Sequence, residues 1–149
     1  MLDLPSLEAA MASAEQHFGR VDVVIVAAGI ALGSSRPMEI IDPDDWDRTI
    51  AVNVSGVWRT MPAGLPYVRR QQGSLVAISS MAAFVHNPLT GPYPASKAAV
   101  WATCNGLRLD LRHQGVHVAS APSTFFKNPM TEEATAIATR EHAAEQQWA

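Results

Sequence analysis

Tyr93 and Lys97 stand four residues apart in the run Tyr93-Pro94-Ala95-Ser96-Lys97. On a helix that spacing sets both side chains on one face. Pro94 is tolerated at a helix start, where first-turn amides have no intrahelical acceptor. An ammonium beside a phenol favours the phenolate. A phenol tuned in this way can move a proton on or off a hydroxyl or carbonyl oxygen as a general acid–base. Taken alone, the spacing more often marks an exposed Tyr–Lys pair on a helix surface. Two further residues bear on the choice. Ser80 closes an apolar stretch thirteen residues before Tyr93, and the carboxyl ends of strands in open parallel sheets are where ligands bind. A serine there otherwise serves as a turn former. Asn53 falls inside the apolar sector of a helical stripe, between Ile50 and Val57. A buried amide must find hydrogen-bond partners or cost roughly 1–3 kcal/mol. Satisfaction by nearby backbone is as good a reading of Asn53 as a catalytic one.

Three β-branched stretches can position these residues: 21–28, 74–79 and 116–121. The first two are almost continuously apolar, which predicts strands covered on both faces, as in parallel sheets. Helical patterns lie between them. Leu7, Met11, Ala14 and Phe18 repeat with a helical period, and Gly19 supplies a stop. Trp46, Ile50, Val54, Val57 and Met61 form a second stripe, entered through Asp42-Pro43-Asp44-Asp45. Pro62 and Pro66 predict a kink or an early end to that helix. A third helix, about 94–113, carries Val100, Cys104, Leu107 and Leu111 on a bulky stripe. Ala95, Ala98, Ala99, Ala102 and Gly106 lie on a small-residue one. Two apolar faces predict cover on two sides, by the sheet and by a neighbouring or partner helix. Alternating helix and strand predicts an α/β fold. Residues 131–149 read as a polar, Ala/Glu-rich helix.

Composition sets the frame. The chain has 149 residues, 48% hydrophobic and 17% charged, a globular balance with room for one core. The longest uncharged apolar run, 23–33, falls well short of the ~18–20 residues of a membrane-spanning helix. A net charge of −3 without a basic stripe gives no footprint for nucleic acid. The single cysteine, Cys104, cannot form an internal disulfide and is expected in the core rather than as a nucleophile. These features together predict one soluble, cytoplasmic domain over 1–149, with neither nucleic-acid nor membrane partners. His113 and His117 are separated by Gly115, which breaks the helix that would align them, so no metal site is expected.

An apolar strand, an Ala-Ala-Gly turn, Asn53-Val54-Ser55-Gly56 on a helix, Ser79-Ser80 after a strand, and Tyr93-Pro94-Ala95-Ser96-Lys97 follow one another in this order. In that order they resemble the short-chain dehydrogenase/reductase family, over about residues 2–130. The resemblance implies a partial Rossmann-like, doubly wound parallel sheet of three main strands with flanking helices. It implies an NAD(P)-dependent oxidoreductase, acting on a small-molecule alcohol or ketone, that assembles as a homo-oligomer. By this resemblance Tyr93 would be the acid–base, and Lys97 would favour its ionised form and hold the nicotinamide ribose. Ser80 would orient the substrate oxygen, and Asn53 would hold a water relaying protons to Lys97. The hydride chemistry would come from NAD or NADP. Cofactor contacts would fall at Asp3, at Val26, Ala27, Ala28 and Gly29, at Tyr93 and Lys97, and at Pro122, Ser123 and Phe125. The segment 84–92 would border a pocket for a substrate with a hydrophobic body.

The sequence departs from the family at several points. Val26-Ala27-Ala28-Gly29 stands where the family has Asn-Asn-Ala-Gly, and Ser123 and Lys127 replace its Gly and Thr. The Gly-rich strand–turn–helix that holds pyrophosphate has no counterpart here. Relative to the family, the chain is expected to begin at about the third strand, lacking two strands and two helices, and to stop before the last. The strand at 21–28 would then lie on an open edge with unpaired amides, inviting association. Weak or absent cofactor binding is expected for the chain alone. A non-catalytic remnant or interaction module therefore remains the alternative to an active oxidoreductase. A hydrolase built on Ser80 is disfavoured, because no Gly-x-Ser-x-Gly elbow surrounds it.

Overall fold

The computed structural model describes residues 3–34, 36–124 and 132. Helix α1 (Leu4–Phe18) leads into strand β1 (Val23–Val26). Helices α2 (Pro43–Ile50) and α3 (Val57–Arg70) are joined by widened, π-type turns over Ala51–Gly56 into one continuous rod. Strand β2 (Ser74–Ser80), helix α4 (Tyr93–Leu111) and strand β3 (His117–Ser123) follow. Together these form a three-stranded parallel sheet in the order β1-β2-β3.

Local sequence explains most boundaries. Asp3 caps α1 by accepting from the Ser6 amide at 3.3 Å, and Asp42 caps α2 by accepting from the Asp44 amide at 2.9 Å. Gly19 ends α1 in the left-handed conformation at φ 80°, which glycine adopts without strain. Pro62 and Pro66 do not end the helix, which continues to Arg70. The carbonyls their rings leave unbonded are those of Trp58 and Pro62, four residues earlier. Trp58, Pro62 and Pro66 all lie on the exposed face of the helix. The opposite face, with Met61, Gly64 and Val68, is buried and holds the rod to the sheet.

The core sits between one face of the sheet and the helices. Val24 and Val26 of β1, Leu75 and Ala77 of β2, and Val118 of β3 meet Val57, Met61 and Val68 of α3. Val100, Cys104 and Leu111 of α4 join the same cluster. Cys104 is thus a core residue, and burial pushes its thiol pKa up. Gly64 brings α3 unusually near β1, for a Cβ there would lie 2.9 Å from Val24 Cγ2.

The expectation of strands covered on both faces is not met within the described residues. Alternation in β1 leaves Val23 51% and Ile25 62% exposed while Val24 and Val26 are buried. Among the described residues the helices pack on one side of the sheet, and Val23 and Ile25 on the other face are uncovered. The small-residue face of α4 is likewise open, with Ala95, Ala102 and Gly106 exposed. As expected, β1 lies at an edge, pairing with β2 alone. The strand is also shorter than its apolar run, because Ala27 and Ala28 leave the ladder. Residues 131–149 lie outside the described residues, apart from Glu132.

Gly64→Ala gains ~1 kcal/mol of helix propensity but crowds a buried valine, and overpacking costs roughly 1–3 kcal/mol. A lower urea midpoint is the expected result, by about 1 kcal/mol in stability. A raised midpoint would mean that α3 does not approach β1 as described.

Candidate active site

The site forms at the carboxyl ends of the strands. After β1 the chain turns through Ala27, Ala28 and Gly29 to Ile30, and the π-type turns bring Asn53 to meet it. Asn53 is fully buried, and both ends of its amide are engaged. Its Oδ1 accepts from the Ile30 amide at 2.8 Å, and its Nδ2 donates to the Ile30 carbonyl at 2.8 Å and to Ser96 Oγ at 2.9 Å. A helical side chain has thereby paired with loop backbone as a neighbouring strand would. Ser96, also fully buried, donates in turn to the Tyr93 carbonyl at 2.7 Å.

Lys97 lies 4% exposed at the centre of this cluster. Its Nζ donates to the Ile78 carbonyl of β2 at 2.9 Å and stands 5.5 Å from the centroid of the Tyr93 ring. Burial lowers the lysine's pKa from its ordinary value, because a charged ammonium is disfavoured away from water. Gly29 completes the enclosure. A Cβ there would sit 3.4 Å from both Asn53 Oδ1 and Lys97 Nζ, in van der Waals contact with both.

Ser79 anchors the strand end to the helix, its hydroxyl donating to the Lys97 carbonyl at 3.1 Å. Ser123 donates to the Ser79 carbonyl at 3.4 Å and pairs in register with Ser80. The Ser80 hydroxyl accepts from the Ala82 amide at 3.1 Å and caps a short turn over Met81–Ala83. That turn leads into Phe84, which meets Trp101 of α4 edge to face at 5.3 Å. Gly91 then seats the segment against the loop after β1, since a Cβ there would lie 2.7 Å from the Gly33 carbonyl.

The structure thus brings Asn53, Tyr93, Lys97 and Gly29 together. Ser80 closes the adjoining strand end, with its hydroxyl engaged as a cap. Among the expected cofactor contacts, Val26 is 2% exposed and belongs to the core, while Ala27 and Ala28 are exposed beside Gly29. Asp3 caps α1. Pro122 lies in β3 opposite Ser79. Phe125 lies outside the described residues. Sequence reasoning gives no role to Ser79, Ser96 or Ile30. A signal for Ser96 exists, because a serine three residues into a helix can bond back to the carbonyl of the first turn.

The donor chemistry fits one end of a nicotinamide dinucleotide. Lys97 uses one of its three N–H groups on Ile78, which leaves donors suited to sugar hydroxyls. The glycine beside it keeps the approach free of a side chain. No Gly-rich strand–turn–helix for pyrophosphate is present among the described residues.

Comparison with known proteins agrees with this architecture. The family model described as short chain dehydrogenase matches residues 1–138. An uncharacterised NAD-dependent oxidoreductase of Mycobacterium tuberculosis is 36% identical over 139 residues, covering 92% of this chain and 50% of its own. A trans-4-hydroxycyclohexanecarboxylate dehydrogenase of Sinomonas cyclohexanicum is 33% identical over 129 residues, covering 87% of this chain and 49% of its own. Among solved structures, carveol dehydrogenase from Mycobacterium avium in complex with NAD superposes with a TM-score of 0.81 at 29% identity. That match covers 87% of this chain and 47% of the other. The chain spans about half the length of the curated relatives it matches. With three parallel strands, flanking helices and a match over nearly its full length, the chain belongs to the short-chain dehydrogenase family.

Proposed function

We propose that this chain carries the catalytic half of an NAD(P)-dependent oxidoreductase that interconverts secondary alcohols and ketones. The observation that carries the reading is the buried Lys97 ammonium, held by Ile78 and set over the Tyr93 ring beside Gly29. When bound, the nicotinamide supplies hydride transfer to or from the carbinol carbon. Tyr93 gives or takes the proton at the substrate oxygen. The N–H groups of Lys97 not given to Ile78 orient the ribose. Ser80, at the end of β2, offers the substrate oxygen a second hydroxyl, since the bond it accepts from the Ala82 amide leaves its O–H free to donate. Asn53 fixes the turn that bears Gly29 and thereby the floor beneath Lys97.

The substrate's body is expected to be apolar. Met81, Phe84, Val85, Leu89 and Trp101 all expose hydrophobic surface on or beside the segment that links Ser80 to Tyr93. Trans-4-hydroxycyclohexanecarboxylate and carveol, named in two of the relatives, are ring alcohols of this kind.

A second reading is a non-catalytic module, favoured by the lack of a pyrophosphate cradle among the described residues. The two readings separate when this chain replaces the matched 139-residue segment of the Mycobacterium tuberculosis relative. Turnover of ring alcohols, followed as NADH absorbance, is expected from that chimera. Tyr93→Phe should lower it ~10²–10⁴-fold with the far-UV circular dichroism unchanged. Equal turnover in the two proteins would refute the role given to Tyr93, and a folded chimera without turnover would favour the non-catalytic module. The 149-residue chain alone should bind NADH more weakly than micromolar, read from its tryptophan fluorescence.

Self-association is part of the same proposal. Among the described residues the outer edge of β1 has no strand beside it, which leaves strand amides open to pairing. Near Asn53 and Ala99, Trp58 is 58% exposed on α3 and Trp101 41% on α4. Light scattering should show a dimer or larger species, and a monodisperse monomer would contradict this part.

A further inference from the structure

We propose that Ser96 is a positioning residue of this site, its hydroxyl joining the Asn53 amide to the Tyr93 carbonyl and so setting the first turn of α4 against the turn after β1. The inference rests on the reading of Tyr93 and Lys97 as the working pair. Three observations carry it.

First, the Ser96 hydroxyl is fully buried and used in both directions, donating to Tyr93 and accepting from Asn53. A serine that merely bonds back along its own helix makes only the first of these contacts. The second reaches 43 residues away in sequence, to another helix. Second, the start of α4 has no side-chain cap, for its N-cap position is Pro92. The first turn is therefore located by contacts from outside the helix, and the bond to Asn53 is one that acts directly on the Tyr93–Lys97 turn. Third, Asn53 is itself clamped to both backbone groups of Ile30. The relay Ile30–Asn53–Ser96–Tyr93 thus crosses three elements and ends on the peptide unit of Tyr93. Movement at any link changes how Lys97 meets Ile78, Gly29 and solvent.

The test reads Lys97 directly and needs neither cofactor nor turnover. Lys97 and Lys127 are the only lysines in the sequence, so Lys127→Arg in the full chain leaves Lys97 as the sole lysine. Its Cε resonance in protein labelled with 13C-lysine then reports the titration of the amine. Ser96→Ala should move that titration upward, toward that of an ordinary lysine, because a loosened first turn admits water to the ammonium. Asn53→Ala should shift it the same way, and the double variant no further than the larger single one, because both substitutions break the same bond. Thr103→Ala removes a hydroxyl–carbonyl bond to Ala99 farther along α4 and should leave Lys97 unmoved.

An unmoved titration in Ser96→Ala overturns the proposal. So does an equal shift in Thr103→Ala, which would trace the effect to general loosening of the helix. If Ser96→Ala loses its far-UV circular dichroism, Ser96→Cys carries the same comparison, since a thiol keeps similar bulk but bonds weakly. Failure of the oxidoreductase reading would show in turnover of the chimera, whereas the lysine titration answers for Ser96 alone.

Discussion

A buried amide has to be paired, and in this chain that requirement organises the whole site. Asn53 is inaccessible to solvent, so its donors and acceptor must find partners within the protein. They find them on a loop and on another helix, at Ile30 and Ser96. Three segments distant in sequence are thereby held at one end of the sheet. The widened turns over Ala51–Gly56 place Asn53 on this inner side of the rod, and π-type turns of this kind recur at functional sites. Neutral hydrogen bonds contribute only about 1 kcal/mol each, but leaving a buried donor or acceptor unpaired costs more than the bond returns. The cluster is therefore expected to form or fail as a unit.

Lys97 depends on that unit. Its ammonium is enclosed, its pKa lowered by burial, and its one acceptor among the described residues is a strand carbonyl. Without a fixed turn at Gly29 and a fixed first turn of α4, a four-carbon side chain would have little reason to stay in this enclosure. The sheet supplies the other fixed wall. Ser79 binds the end of β2 to α4, and Ser123 binds the end of β3 to β2. Beside these tied strand ends runs a segment, 81–92, that exposes much of its apolar surface.

Local features are the legible ones. The four-residue spacing of Tyr93 and Lys97, the cap at Asp42 and the stop at Gly19 each depend on neighbours within one turn of chain. Sequence reasoning therefore places them well. The two prolines in α3 do not give the early end they predict, because the buried face of Met61, Gly64 and Val68 holds the helix to the sheet, which is a tertiary fact. The apolar β1 and β2 runs predict cover on both faces. That pattern registers surface meant to be buried, but not whether this stretch of chain supplies the cover. Ser96 stands inside the Tyr93–Lys97 run, yet its meaning lies in a partner 43 residues away. The family is legible from the order of motifs, whereas the wiring among them is not.

Hydrogen exchange at the Ile30 amide tests the central claim most directly. Ile30 lies outside every helix and strand, and its amide proton is given to Asn53 Oδ1. Slow exchange is expected in the wild-type chain, with protection lost in Asn53→Ala while the amides of α1 keep theirs. If Ile30 in the wild-type chain exchanges as fast as an open loop, the amide clamp does not exist in solution and the site described around it does not hold together.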